Sequence, residues 1–345
     1  SAAGAGNAAP LRPAFPLPEP TDFGCFRGEE PEPSPPEEDE KEGDGVMPPG
    51  GGIIFENPAE QERFFQASLS GEDFRRLSGF IQEAYGIHIP PAKKFLLETR
   101  LRKRLRHLGI PSFGEYCERV LNSVRGGEEA VHMIDAVSTN KTDFFREPDH
   151  FEYLTRSALP GLARELGAGT KRKLLAWSAG CSSGEEPYTL AMVLHEFGEG
   201  CPGGRYYFEI LATDISTQVL KAATRGVYPE ERVEPVPLPL RKKYLLRSKD
   251  PEKRLVRVGP QLREKVQFGR LNLMEERYGL PEPMDFIFCR NVLIYFTRET
   301  QERVIERFYR QLSPGGYLFL GHTETLKGMG IPMTPMAPSV YRKGA

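Results

Sequence analysis

The sequence predicts an α/β protein: a mostly parallel, doubly wound sheet with a small β insertion, preceded by an all-α domain. Three observations carry that prediction. From about residue 171, short apolar runs alternate with amphipathic segments, as in KLLAWSA, GEEPYTLAMVLHEFG, YYFEILATDI and STQVLKAATRG. Such alternation builds parallel strands linked by helical crossovers. A proline-bearing stretch, 227–268, interrupts it with short strand-like pieces such as RLVRVG. Upstream, between 68 and 136, apolar residues recur at the spacing of helices.

Residues 1–55 read as a tail. EEPEPSPPEEDEKE, 29–42, sets eight acids against one lysine among four prolines. Such a segment buries too little apolar surface to offset the entropy of ordering, so disorder is expected. Residues 56–136 are assigned to the all-α domain. Its first helix has Ser70 as N-cap, Phe74, Leu77, Ile81 and Tyr85 on one face, and Gly86 as its stop. Pro90-Pro91 mark the start of the second, AKKFLLETRLRKRLRHLG, where Leu97, Leu101, Leu105 and Leu108 form a stripe. That helix carries seven Lys/Arg against one Glu over 93–108, with Lys93, Arg100, Lys103, Arg104 and His107 on another face. Its charge suits an acidic partner surface. Shorter helices follow around SFGEYCERVL and EEAVHMIDAVS. VSTNKTDFFREPDH, 137–150, is a polar connector, and 151–345 forms the sheet domain. There KVQFGRLNL and DFIFCRN are strands, RETQERVIERFYRQL is a helix closed by SPGG, YLFLGH is a strand, and VYRK pairs at the edge.

The formal net charge of −2 over 345 residues is too balanced for a nucleic-acid-binding field. No apolar run approaches the ~18 residues of a membrane span, and no basic-then-apolar leader is visible. Five scattered cysteines without C-x-x-C fit a reducing cytoplasm. The six histidines show no metal-ligand spacing. The expectations are a cytoplasmic monomer with no metal, no nucleic-acid partner and no membrane insertion.

The chemistry concentrates in AWSAGCSSGEEPY, 176–188. Gly180-Cys181-Ser182-Ser183-Gly184 fits G-x-S-x-G, the elbow that presents a serine nucleophile. Asp285 and His322 are available downstream as partners, but no HGGG-like oxyanion segment exists, and two glutamates follow where an oxyanion would need stabilising. A phosphate cradle fits no better: the lysine of a P-loop is absent, and Glu185-Glu186 would repel phosphate. What remains is a loop of small residues followed by carboxylates. It suits a ligand with positive charge and hydroxyls, of which S-adenosylmethionine (SAM) is one. Asp214, where the second strand ends in ATDIS, is placed to accept hydrogen bonds from a ribose diol or to cap the next helix. Arg290 and Asn291 of FCRNVLIYF lie at a strand's carboxyl end, where ligands bind such sheets.

STNKTDFFREPDHF, WSAGCSSGEEPYTLAM, ILATDIS, FGRLNL, FCRNVLIYF and LSPGGYLFLGHTETL follow one another in an order and spacing that resemble the CheR family, the SAM-dependent methyltransferases of chemoreceptor glutamates. The resemblance runs from about 70 to 343; the acidic tail lies outside it. It implies a Rossmann-like SAM methyltransferase sheet, with SAM as methyl donor, S-adenosylhomocysteine (SAH) as product, and the acidic methylation helices of a chemoreceptor as partner. It further implies that Asn140, Thr142 and Arg146 contact SAM and that Glu186 holds its methionyl or ribose part. Asp214 would take the ribose hydroxyls, and Asn272, Leu273, Arg290 and Asn291 would line the pocket. Arg146 and Tyr295 would lie nearest the transferred methyl. Glu185 shares the role of Glu186 or caps its helix. Lys93, Arg100, Lys103 and Arg104 correspond to the helix that docks on receptors. One departure is the loop RSKDPEKRLVRV, which lacks the glycines that shape a peptide-gripping loop in some members, so peptide tethering is not expected. The second reading keeps the fold but makes the chain a SAM-binding regulatory module with little turnover.

Overall fold

The computed structural model describes residues 67–122, 127–201, 206–280 and 282–344. The tail 1–55 and the first residues assigned to the all-α domain lie outside them. The described residues form two compact units that divide between Thr139 and Asn140, within the expected connector.

The first unit holds helices α1 (Gly71–Tyr85), α2 (Lys94–Leu108), α3 (Phe113–Leu121) and α4 (Gly127–Val137). Ser70 Oγ accepts from the Asp73 amide at 2.9 Å, and Gly86 ends α1 in the left-handed conformation that favours glycine. Phe74, Leu77 and Ile81 of α1, with Leu97, Leu101 and Leu105 of α2, are buried, whereas Tyr85 and Leu108 stay half-buried at the helix ends.

The second unit opens with α5 (Pro148–Tyr153) and α6 (Leu159–Leu166), joined by a π turn. Then come β1 (Leu174–Ala179), α7 (Glu185–Glu199), β2 (Phe208–Asp214) and α8 (Thr217–Arg225). A small antiparallel sheet follows, made of β3 (Val227–Pro229), β4 (Leu245–Arg247) and β5 (Leu255–Val258), with α9 (Leu238–Tyr244) leading into β4. After α10 (Pro260–Arg263) the chain returns through β6 (Val266–Arg270), β7 (Met284–Cys289), α11 (Arg298–Gln311), β8 (Leu312–Leu320), β9 (Met333–Ala337) and β10 (Val340–Lys343).

The large sheet has the order β6-β2-β1-β7-β8-β10-β9. Its first five strands are parallel, and β10 and β9 add antiparallel pairs. Successive strands step one way from β1 through β2 to β6 and the other way from β7 to β8. The strand order therefore reverses between β1 and β7, and ligands of such sheets bind outside the carboxyl ends at that reversal. β1 and β7 are buried along their whole length, as strands covered on both faces must be.

Three sequence expectations change. VYRK is not the edge strand, because Met333–Ala337 pairs outside it. SPGG does not lie before the next strand but within β8, where Gly315 takes a positive φ of 76°. The stretch 227–268 contains the small sheet but runs into β6, which pairs with β2 of the large one. Among the described residues no helix is long and apolar enough to cross a membrane.

Candidate active site

The loop after β1 is tied to β2. The amides of Gly180 and Cys181 both donate to Thr213 O, at 2.8 and 2.9 Å. Gly180 and Gly184 have φ of 82° and 98°. A Cβ on Gly180 would lie 2.4 Å from Val292 Cγ2, and one on Gly184 2.8 Å from the Tyr228 hydroxyl. Both glycines are thus required by turn geometry and by neighbouring side chains. Ser182 Oγ donates to Asn140 O at 2.9 Å, while buried Asp285 pairs with Arg172 at 2.5 Å near the start of β7, and His322 meets Asp149 at 3.1 Å. Each member of the would-be hydrolase triad has its own separate partner. Cys181 is buried in the same loop, and that burial pushes its thiol far above the ordinary range, the opposite of an activated nucleophile.

Asp214, at the tip of β2, uses its carboxylate to hold backbone on both sides of the strand end. Its Oδ2 accepts the Ser182 amide and its Oδ1 the Ser216 amide, each at 2.9 Å, so the carboxylate staples two loops together. Ser216, not Asp214, caps α8 through the Val219 amide.

Glu186 and Arg290 face each other across the reversal point. Glu186 Oε1 accepts from Ser178 Oγ at 2.7 Å, and its Oε2 lies 3.5 Å from Arg290 Nε. Burial pushes the Glu186 carboxyl upward, opposed chiefly by the Arg290 charge and the Ser178 hydrogen bond. The Arg290 side chain is 2% exposed and lies over the Phe151 and Phe288 rings at 5.3 and 5.6 Å. Its guanidinium donates to Arg146 O and sits 3.5 Å from Glu147 Oε2. Asn291, at a positive φ of 59°, donates through Nδ2 to Glu147 Oε1 at 3.3 Å. Among the described residues, Arg290 Nε and Nη1 and Glu147 Oε2 are buried without a hydrogen-bond partner. Paired buried charges whose hydrogen-bonding groups remain unmatched invite a ligand that brings charges of both signs.

The connector supplies the remaining groups. Phe145 and Glu147 both take φ of 53°, rare for side-chain-bearing residues, and buried Phe144 fixes the segment by packing edge-on to Tyr228, 5.1 Å between centroids. Half-buried Arg146 donates to Lys141 O at 3.1 Å; Thr142 and Asn140 are half-buried beside it in sequence. Asn272 Oδ1 accepts the Met274 amide, and buried Leu273 presents its carbonyl to Arg307, both beyond the end of β6. Tyr295 ends a short turn after Asn291 and is half-buried.

Glu185 does not share the environment of Glu186. It is buried, accepts from Ser183 Oγ at 2.7 Å and from Arg232 at 3.1 Å, and so links α7 to the turn after β3. Sequence reasoning singled out neither Arg232, which also lies 3.5 Å from Asp143, nor Glu147, nor Glu324. As single charged residues they carry no motif of their own; the only cues were the places of Glu147 within STNKTDFFREPDHF and of Glu324 within LSPGGYLFLGHTETL. His150 and His322 gather beside Glu147, within 4.8 Å of one another by their polar atoms, although they show no spacing pattern in sequence. His322 is tied there to Asp149.

The expected partner face divides. Arg104 forms a two-bond pair with Glu129, at 3.1 and 2.6 Å, and Glu129 also accepts the Tyr116 hydroxyl. Arg100 donates to Val137 O, and to Ser138 O at 3.2 Å, covering carbonyls at the end of α4. Lys93 and Lys103 are exposed, and with them Phe95 at 75% and Leu96 at 44%.

Residues 140–340 match the family described as CheR methyltransferase, SAM binding domain, and residues 72–138 match CheR methyltransferase, all-alpha domain. The chain is 38% identical over 278 residues to the chemotaxis protein methyltransferase of Borreliella burgdorferi, spanning 80% of this chain and 95% of that protein. It is 37% identical over 274 residues to the Escherichia coli protein of the same name, spanning 79% and 91%. To chemotaxis protein methyltransferase 2 of Pseudomonas aeruginosa it is 40% identical over 271 residues, spanning 78% and 92%.

Proposed function

Because the chain belongs to the CheR methyltransferase family and is a SAM-dependent chemotaxis protein methyltransferase, we propose that it methylates glutamate side chains of a chemoreceptor, leaving glutamyl methyl esters and SAH. The observation that carries the site assignment is the buried set at the strand reversal: Glu186, Arg290 and Glu147, with Arg290 Nε and Nη1 and Glu147 Oε2 lacking hydrogen-bond partners among the described residues. An amino-acid zwitterion such as the methionyl end of SAM offers a carboxylate to the guanidinium and an ammonium to the carboxylates. In this reading Asp214 takes the ribose hydroxyls, and Asn272, Leu273 and Asn291 line the rest of the pocket.

Bound SAM supplies an electrophilic methyl on a sulfonium. A receptor glutamate, with a usual pKa of about 4.3, is already a carboxylate at neutral pH, so no residue of the chain has to remove a proton. The new bond is O–CH3, the bond broken is S–CH3, and the opposite charges of the two reactants cancel. The chain's task is alignment and exclusion of water. Arg146 orients the incoming carboxylate and Tyr295 hydrogen-bonds near the methyl. Receptor docking falls to the exposed side of α2 and the turn before it, where Lys93 and Lys103 flank Phe95 and Leu96 in sequence.

The test is transfer of tritiated methyl from SAM to a receptor cytoplasmic fragment, read as base-labile methanol. Arg146→Ala is expected to lower kcat/KM by about 100-fold, the scale of a misplaced reactant. Full activity of that variant would remove Arg146 from its role. SAM binding without transfer by the wild type would overturn the enzyme reading in favour of a regulatory module.

A further inference from the structure

One buried carboxylate remains unused by the site as described: Glu324, in the segment GHTETL after β8, 6% exposed. Its Oε2 accepts the Asn291 amide at 3.0 Å and the Gly321 amide at 2.7 Å, and its Oε1 accepts the Ile294 amide at 3.2 Å. Three backbone donors from the ends of two neighbouring strands thus converge on one side chain. The turn it holds is strained, since Asn291 has a positive φ. The packing is also tight: a Cβ on Gly321 would fall 2.7 Å from Asn291 Nδ2, 2.8 Å from its amide nitrogen and 2.9 Å from Glu324 Oε2. Glu324 is itself anchored, for its carbonyl accepts from Ser339 Oγ at 3.3 Å and the Leu326 amide donates to the Tyr341 hydroxyl at 3.2 Å.

We infer that Glu324 is a positioning residue of the SAM site: its carboxylate clamps the turn that aims Arg290, Asn291 and Tyr295 into the pocket. The inference rests on the site assignment proposed above for those three residues. A carboxylate is required because two oxygens of like character must receive three amide donors. A carboxamide offers one such oxygen and turns an N–H against the remaining donor.

The experiment is calorimetric titration of the full chain with SAH. Glu324→Gln is expected to raise the Kd for SAH by about tenfold or more, the scale of one lost charge-assisted hydrogen bond. Emission of Trp177, the single tryptophan, should stay as in the wild type. Arg172→Ala, which breaks the Asp285 pair near the start of β7, should lower Tm and leave SAH affinity unchanged. An SAH affinity of folded Glu324→Gln within about threefold of wild type overturns the inference, as does an equal loss of affinity in Arg172→Ala. Should Glu324→Gln fail to fold, Gly321→Ala decides in its place: weaker SAH binding supports the clamp, and unchanged binding sinks it. Failure of methyl transfer by a wild type that still binds SAH would refute the proposed activity and leave this inference standing.

Discussion

Asp214 illustrates how a single residue can be right in position and richer in role than its motif suggests. An acid at the tip of a second strand is recognisable in ATDIS, but the sequence does not tell that both oxygens receive backbone amides, from Ser182 and Ser216. Asp214→Asn is therefore expected to turn an N–H against one of those amides and to weaken SAM binding by about 10- to 100-fold. Titration with SAM measures this, and an unchanged Kd would exclude Asp214 from the site. Glu186, Arg290 and Asn291 each lie in a motif visible in the sequence, Glu186 in the first turn of α7 and Arg290 and Asn291 directly after β7. Glu147, Arg232 and Glu324 were not singled out, because a lone charged side chain shows its importance only through what the fold brings to it. The roles of Gly180 and Gly184 were half legible: the need for small residues was plain, but Val292 and Tyr228, the side chains that impose it, are far away in sequence.

At the scale of the element, α2 shows the limit of periodicity. The leucine stripe correctly marks the buried face, yet charge density does not reveal which cations are tied internally. Arg104 is raised in pKa foremost by its hydrogen bond to Glu129, and Glu129 is only 10% exposed. Arg104→Ala should leave that carboxylate buried without its cation and cost about 2 kcal/mol, read from urea unfolding. Lys103→Ala should change stability by less than about 0.5 kcal/mol while raising KM for the receptor fragment and lessening its salt dependence. The reverse pattern, with Arg104 governing receptor KM at full stability, would return the docking role to the whole basic stripe.

At the scale of the molecule, the second unit buries an ionisable cluster beside its site, and this sets a pH dependence. His150 is 1% exposed, packed against Phe288, Phe319 and His322, and faces the charges of Arg290, Asp149 and Glu147. Desolvation first, then Arg290, lowers its pKa to about 4. The unfolded chain therefore binds this proton more readily, and the folded state loses stability as pH falls from about 6.5 toward 4. Glu185, Glu186 and Glu324 are shifted upward by burial and work in the opposite direction, so the test is a difference. Relative to His150→Phe, the wild type should lose about 1–2 kcal/mol between pH 7 and pH 5, measured by urea midpoints. A pH-independent difference would mean that His150 titrates normally. The sequence by itself determined the class of fold, the helical and strand segments, and the motifs that mark a SAM-dependent methyltransferase, because hydrophobic period, caps and strand-end residues are local properties of the chain. The tertiary structure alone decided the strand order, the partners of Asp214 and Glu324, and the division of α2 into tied and exposed cations. Those depend on groups far apart in the chain, as Ala176 of β1 is from its partner Phe286 of β7, meeting only when the sheet closes the distance.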